Sequence, residues 1–217
     1  MTEPVKSPEK EWLVNAWIVR ILRLGILVLS WSAIILSLIP SLGNLGFLFS
    51  TYTIQSNLLI LIWLSIAIFL QEKYKTCWFF SGAVRGAITL YITVTFIIFA
   101  LLLAPLYHPT GIEAYTNLSL HYIIPIAFLV DWVLTEMYHV YQWKYTLFWL
   151  SYPIFYLILT LILGSITGTY IYPFLDLNAM GTEFFVIVCI ILTAFFILLG
   201  SLLVFLNKTI TKRLNRK

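Results

Sequence analysis

The sequence predicts an all-α membrane protein, a polytopic bundle of six transmembrane helices with both termini in the cytoplasm. Three observations carry that expectation. Of 217 residues, 61% are hydrophobic and only 10% are charged, against about 25% charged in a soluble domain, and the mean hydropathy is +0.97. Six stretches reach the ~20 mostly apolar residues that a helix needs to cross a ~30 Å hydrocarbon core. All 13 Lys and Arg residues fall on one side of the membrane that those stretches define.

Residues 1–16 form a short cytoplasmic N-terminal segment, and 17–206 form the six-helix domain. The first span, 17–39, is too long for a signal-peptide core and follows Glu3, Glu9 and Glu11 rather than a purely basic leader. The others cover 52–70, 82–104, 118–135, 145–168 and 184–206. Helix breakers punctuate the connections: Pro40 with Gly43 and Gly46, Pro105 with Pro109 and Gly111, Pro173 with Gly181. Eight Trp, thirteen Tyr and sixteen Phe suit a protein that meets two lipid–water interfaces. Residues 207–217 read as a basic cytoplasmic tail.

Orientation follows from charge. Lys6, Lys10, Arg20 and Arg23 precede or open span one; Lys73, Lys75 and Arg85 surround the second-to-third connection; Lys144 lies in the fourth-to-fifth; Lys208, Lys212, Arg213, Arg216 and Lys217 follow span six. The connections 40–51, 105–117 and 169–183 contain none. The positive-inside rule then places both termini in the cytoplasm, and the basic tail touches anionic lipid headgroups. The net charge of +4 is thus a topology signal, and nucleic acid is not expected as a partner. Minimal loops point to a bacterial inner membrane. The sequon Asn117-Leu118-Ser119 abuts the membrane and has no meaning in a bacterium. Cys77 and Cys189 lie in different segments, match no metal or redox spacing and are not expected to pair. No metal or nucleotide motif appears, so no cofactor is expected.

Depth makes the polar residues informative. Thr51, Thr53, Gln55, Ser56 and Asn57 occupy the first turns of span two, and His121 the first turn of span four, followed by Pro125. Thr53 and His121 come to nearly the same depth in the outer half of the bilayer, where the 169–183 loop also emerges. Thr53, Ser56 and Asn57 share one helix face, while Gln55 points elsewhere. His121, Pro125, Phe128 and Trp132 form one stripe, and Asp131 lies too deep and too far round the helix to orient the imidazole. Buried Thr, Ser and Asn often serve only to bond backbone or join helices. A His at membrane depth is more often a site residue. His108 lies in a loop and His139 in the basic-side connection. A second polar group lies toward the cytoplasm: Arg85, Asp131, Glu136 and Tyr152. Arg85 with Asp131 reads as a structural ion pair, or else as part of a proton or ion path.

Several segments carry a family resemblance. LHYIIPIAFLVDW (120–132), the pair Tyr152-Pro153 and GTYIYPFLD (168–176) resemble the androgen-induced gene family of six-helix membrane proteins. In that family a His near the outer end of one span is followed by a Tyr-Pro pair and then by a Trp-Val-Tyr-Pro-Phe-Leu-Glu-like segment. YTIQSNLL (52–59) is similar to a Phe-Thr-x-Gln-Ser-Asn-Leu pattern of bacterial relatives. Characterised members hydrolyse fatty acid esters of hydroxy fatty acids with a Thr nucleophile and a His in the membrane. The resemblance implies Thr53 as nucleophile and His121 as base, with Thr51 two residues away as the alternative register. Two departures stand out. Gln55, Ser56 and Asn57 fill a stretch where the family has an acidic residue, and Asp176 replaces the family's Glu.

The expected function is therefore an intramembrane threonine/histidine hydrolase acting on a lipid ester. His121 would take the Thr53 proton, Ser56 or Asn57 would donate to the oxyanion, and Asp176 or Tyr172 would orient the imidazole. The alternative is a non-enzymatic protein: a small transporter or channel, or a structural or interaction partner. Inverted repeats and helices broken at mid-depth, which mark many transporters, are not evident.

Overall fold

In the computed structural model, residues 15–71, 73–74, 76–136 and 140–214 are described, and no strand occurs among them. Helix α1 (Ala16–Leu38) starts at Asn15, whose side chain accepts the Trp17 amide at 3.0 Å. A short helix α2 (Leu45–Ser50), capped by Asn44, lies within the first connection, after the expected breakers Pro40 and Gly43 and with Gly46 inside it. Helix α3 (Tyr52–Leu70) follows at once, with Thr51 as its N-cap.

Helix α4 (Gly82–Ile98) runs on through a π turn (Phe99–Leu103) and a 3₁₀ turn (Ala104–Leu106). Helix α5 (Gly111–Leu118), a second π turn (Ser119–Ile123) and α6 (Ile124–Thr135) form another continuous rod. Helices α7 (Lys144–Phe148) and α8 (Ser151–Thr167) make the fifth span, and α9 (Leu177–Leu214) the sixth. Six of these rods are long and apolar enough to cross a membrane.

Two expected boundaries move. Span four starts at Gly111 rather than 118. Glu113 and Asn117 lower the hydropathy of its first turns, yet the Tyr115 hydroxyl pairs with that of Ser32 at 2.6 Å and fastens α5 to α1. Span six starts at Leu177 rather than 184. Asp176 accepts the Ala179 amide at 2.9 Å as its cap, and Gly181 bends the helix with φ 74°. Nor does α9 stop at 206. Residues 207–214 of the expected tail are helical, and Asn207 is fully buried. Its Oδ1 accepts the Tyr141 amide and its Nδ2 donates to the Glu136 carbonyl, both at 2.9 Å. This clamp holds the last helix against the chain that leaves α6.

Helix α4 is the hub. One of its faces joins α1, α3 and α6 around Ile60, Trp63, Leu64, Ile92 and Phe128. The other receives α7, α8 and α9 through Tyr91, Trp149, Tyr156, Phe196 and Val204. Spans five and six are correspondingly the least buried, 22% and 17% against 33–44% for the others. They form the outer wall of the bundle.

The end near the termini is locked by charge. Asp131 accepts from Arg23 Nε at 2.9 Å and from Arg85 Nη2. The sequence expects the second of these pairs and misses the first. Arg23 also donates to Gln71 of α3 and to Thr135. Arg85 and Asp131 are wholly buried, and Arg23 is nearly so. The guanidinium of Arg85 lies 3.6 Å from the Phe128 ring centroid and 4.3 Å from that of Trp63. Those ring faces help to compensate two cations that share one carboxylate.

Asp131→Asn removes that carboxylate without changing volume. It should cost about 3–5 kcal/mol, read as a large drop in unfolding temperature in detergent. Gly86 gives a steric counterpart. A methyl there would overlap the Trp149 indole and stand 2.8 Å from Tyr141 Cε2, whereas nothing lies within 4 Å of a methyl at Gly25. Gly86→Ala should destabilise by about 1–3 kcal/mol, and Gly25→Ala should leave the unfolding temperature unchanged or raise it.

Candidate functional site

The candidate site lies at the opposite end, where α3, α4 and the α5–α6 rod meet beneath the 168–176 connection. Thr51 caps α3: its Oγ1 accepts the Ile54 amide and donates to the Leu48 carbonyl. The Thr51 hydroxyl is thus engaged with the backbone at the start of the helix. One residue into the helix, the Thr53 hydroxyl stands 3.1 Å from His121 Nε2. His121 Nδ1 is 3.1 Å from the Asn117 carbonyl. A carbonyl only accepts, so Nδ1 carries the proton and Nε2 presents its lone pair to Thr53.

Two prolines shape this arrangement. Proline has no N–H, and its ring strikes the carbonyl four residues earlier in a regular helix. Ahead of Pro105 and Pro125 the helix opens by one residue. Ala104 reaches back five residues to the Phe99 carbonyl, and Ile124 to that of Ser119. Phe99 lies in one of these π turns and His121 in the other. Their rings stack with centroids 3.6 Å apart and planes 18° apart. The imidazole is thus held by a hydrogen bond at each nitrogen and a ring on one face.

Of the four residues expected in support, Ser56, Asn57 and Asp176 bond elsewhere, and Tyr172 lies beside Thr53 rather than beside the imidazole. Ser56 bonds the Thr53 carbonyl and the Thr95 hydroxyl, and Asn57 Nδ2 donates to the carbonyls of Thr53 and Leu120. Both are buried, and they pin α3 to α4 and to the π turn instead of facing a reacting atom. Asp176 caps α9, and the Asn117 carbonyl takes the orienting place expected of Asp176 or Tyr172. Tyr172 meets the other partner: its phenol oxygen accepts the Tyr52 amide at 3.1 Å and lies against Thr53. Burial holds its pKa above the usual phenol value, which keeps its proton in place.

Tyr152 belongs here rather than with the charged end. Its hydroxyl donates to Gln55 Oε1 at 3.0 Å, and its ring packs on Tyr52 and Tyr91. His108 is an exposed loop residue, and His139 lies outside the described residues.

A cleft with about 830 Å³ of empty space, its open side included, runs from Thr53 between α4, α8 and α9. Tyr172 and Phe174, stacked 5.2 Å apart, close its outer end. Ile154 and Thr193 line it and are also exposed on the outside of the bundle, so it opens sideways. Cys189, a free thiol, also lies on its wall. The contacts of Phe99 and of the Asn117 carbonyl with His121 went unforeseen in the sequence, although two prolines inside long apolar runs were a signal that the helices distort there.

No protein-family model matches the chain, and no curated protein or solved structure matches it either. The geometry itself is testable by nitrogen NMR of histidine-labelled protein. His121 should appear as the neutral Nδ1–H tautomer, and Thr53→Val should shift its Nε2 resonance. An Nε2–H signal would contradict the assignment.

Proposed function

We propose that this protein is an intramembrane hydrolase of lipid esters, with Thr53 as nucleophile and His121 as general base. The observation that carries the reading is the 3.1 Å contact between Thr53 Oγ1 and an imidazole nitrogen whose lone pair faces it. A threonine hydroxyl is a weak nucleophile without such a base. Thr53 also lines a cleft whose mostly apolar walls suit an acyl chain. The resemblance to the androgen-induced gene family points to the same two residues. The one-sided distribution of Lys and Arg favours a site in the leaflet away from the basic side, and the minimal loops favour a bacterial inner membrane.

The steps follow from the hydrogen bonds. His121 Nε2 takes the Thr53 proton as the Thr53 oxygen attacks the ester carbonyl. The Asn117 carbonyl and the Phe99 ring face stabilise the imidazolium that forms. The Tyr172 oxygen is already occupied by the Tyr52 amide, so its own hydrogen is the donor beside Thr53, where an oxyanion would develop. Collapse of the tetrahedral adduct releases the alcohol with the proton from Nε2 and leaves an acyl–Thr53 ester. Water, deprotonated by the same nitrogen, then frees the acid and restores the hydroxyl.

Against a through-path for ions or solutes stands the layer between the two polar ends. Ile60, Leu64, Ile92 and Ile124 are all completely buried there. An activity-based serine/threonine-hydrolase probe should label the wild type, and Thr53→Ala and His121→Ala should abolish labelling. Tyr172→Phe should slow it about a hundredfold. Normal labelling of both alanine variants would end the proposal.

A further inference from the structure

Among the described residues that line the cleft beside Thr53, none is charged. The hydroxyls on its walls are mostly committed within the protein. Thr95 bonds the Ser56 hydroxyl and the Tyr91 carbonyl, Tyr156 donates to the Ser50 carbonyl, and Thr193 donates to the Cys189 carbonyl. The Tyr52 hydroxyl is buried. Away from Thr53 and Tyr172 the walls are mainly apolar side chains such as Val94, Ile98, Leu157 and Leu192. A carboxylate or phosphate drawn into this space would lose its hydration and meet no cation.

The mouth of the cleft lies deep. Ile154 of α8 and Thr193 of α9 line it and are also exposed on the lipid side. The apolar run of α9 is bounded by Glu183 and Lys208. At ~1.5 Å per residue, Thr193 stands about 15 Å from the first and about 22 Å from the second. Those distances put the mouth near the middle of a hydrocarbon core about 30 Å thick, out of reach of the headgroups. At the outer end the stacked rings of Tyr172 and Phe174 close the shorter way, and the Tyr172 oxygen is fastened to the Tyr52 amide. A lipid with a charged headgroup would have to drag that group to the centre of the membrane to bring its ester to Thr53.

We propose that the ligand of this cleft is a neutral ester lipid without a polar headgroup, the chemical class of a wax ester, and that it enters from the middle of the bilayer between α8 and α9. That its ester bond meets Thr53 as a substrate rests on the hydrolase reading; the class of ligand and its route do not.

The test uses Thr53→Ala protein, which cannot turn over an ester, in lipid nanodiscs. Three photoreactive probes are compared: hexadecyl palmitate, phosphatidylglycerol and palmitic acid, each with a diazirine in the acyl chain next to the carbonyl carbon. So placed, the diazirine reports where the ester or carboxylate goes rather than where a chain end wanders. Hexadecyl palmitate should label Ile98, on the α4 wall of the cleft, at least ~tenfold more strongly than the other two, since a stranded charge costs more than that factor in binding. Thr193→Trp, which sets a large ring at the mouth, should cut this labelling severalfold. Equal labelling by the three probes, stronger labelling by either charged one, or labelling that Thr193→Trp leaves unchanged would each overturn the proposal. The comparison of probes keeps the native mouth, so it decides even if Thr193→Trp fails to fold. Selective labelling with no turnover of hexadecyl palmitate by the wild type would sustain the ligand class and refute the hydrolase. Thr53-dependent turnover of phosphatidylglycerol but not of hexadecyl palmitate would do the reverse.

Discussion

Asp131 is the residue on which the bundle depends. Its two carboxylate oxygens are divided between Arg23 on α1 and Arg85 on α4, and Arg23 extends the link to Gln71 at the end of α3. Four rods are thereby fixed in rotation and in height at one end. In lipid, apolar side chains alone give little preference for one helix register over another, since the surrounding chains are as apolar as the helix surface. A buried carboxylate with two guanidinium partners has one satisfactory arrangement. Sliding any of the three helices by a turn would leave a charge without its counterion. The hydrocarbon layer of Ile60, Leu64 and Ile92 then packs in a register already set from below.

That register is what lets two distorted turns face each other at the far end. A π turn has an extra residue in its circuit, so a side chain in it points where a regular helix would not send it. Phe99 and His121 sit in two such turns on neighbouring rods, and their rings close on one another. Around them the hydrogen bonds of Ser56 and Asn57 join α3 to both rods. Thr53 is presented from the first turn of α3, whose start Thr51 caps, and the Tyr172 phenol lies against it. The site is assembled from helix ends and helix defects, the places where backbone groups are available for such contacts.

Hydropathy and charge made the six rods legible in the sequence, because length and lipid exposure follow directly from composition. The pairing of Thr53 with His121 was legible from depth, since axial position depends only on the rise per residue. Azimuthal detail was less so. Ser56 and Asn57 were placed on the right face, but a face does not say which group another helix will bring to it. Tyr152 was assigned to the wrong layer because its span was counted as one straight rod, whereas α7 and α8 meet at a turn around Trp149. Arg23 was counted as a topology signal alone, since nothing in span one reveals a partner 108 residues away.

The shared carboxylate has a consequence for biosynthesis. Arg23 and Arg85 belong to spans one and three, whereas Asp131 belongs to span four. During synthesis both cations are made before the anion that neutralises them, so the first three helices must wait in the bilayer with their charges directed to the headgroups. Both arginines lie near the terminus end of their helices, within reach of the interface. The arrival of span four would draw the two guanidinium groups inward and close the ring of helices. Assembly would thus have a built-in order, in which a single late side chain turns a loose set of inserted segments into a bundle.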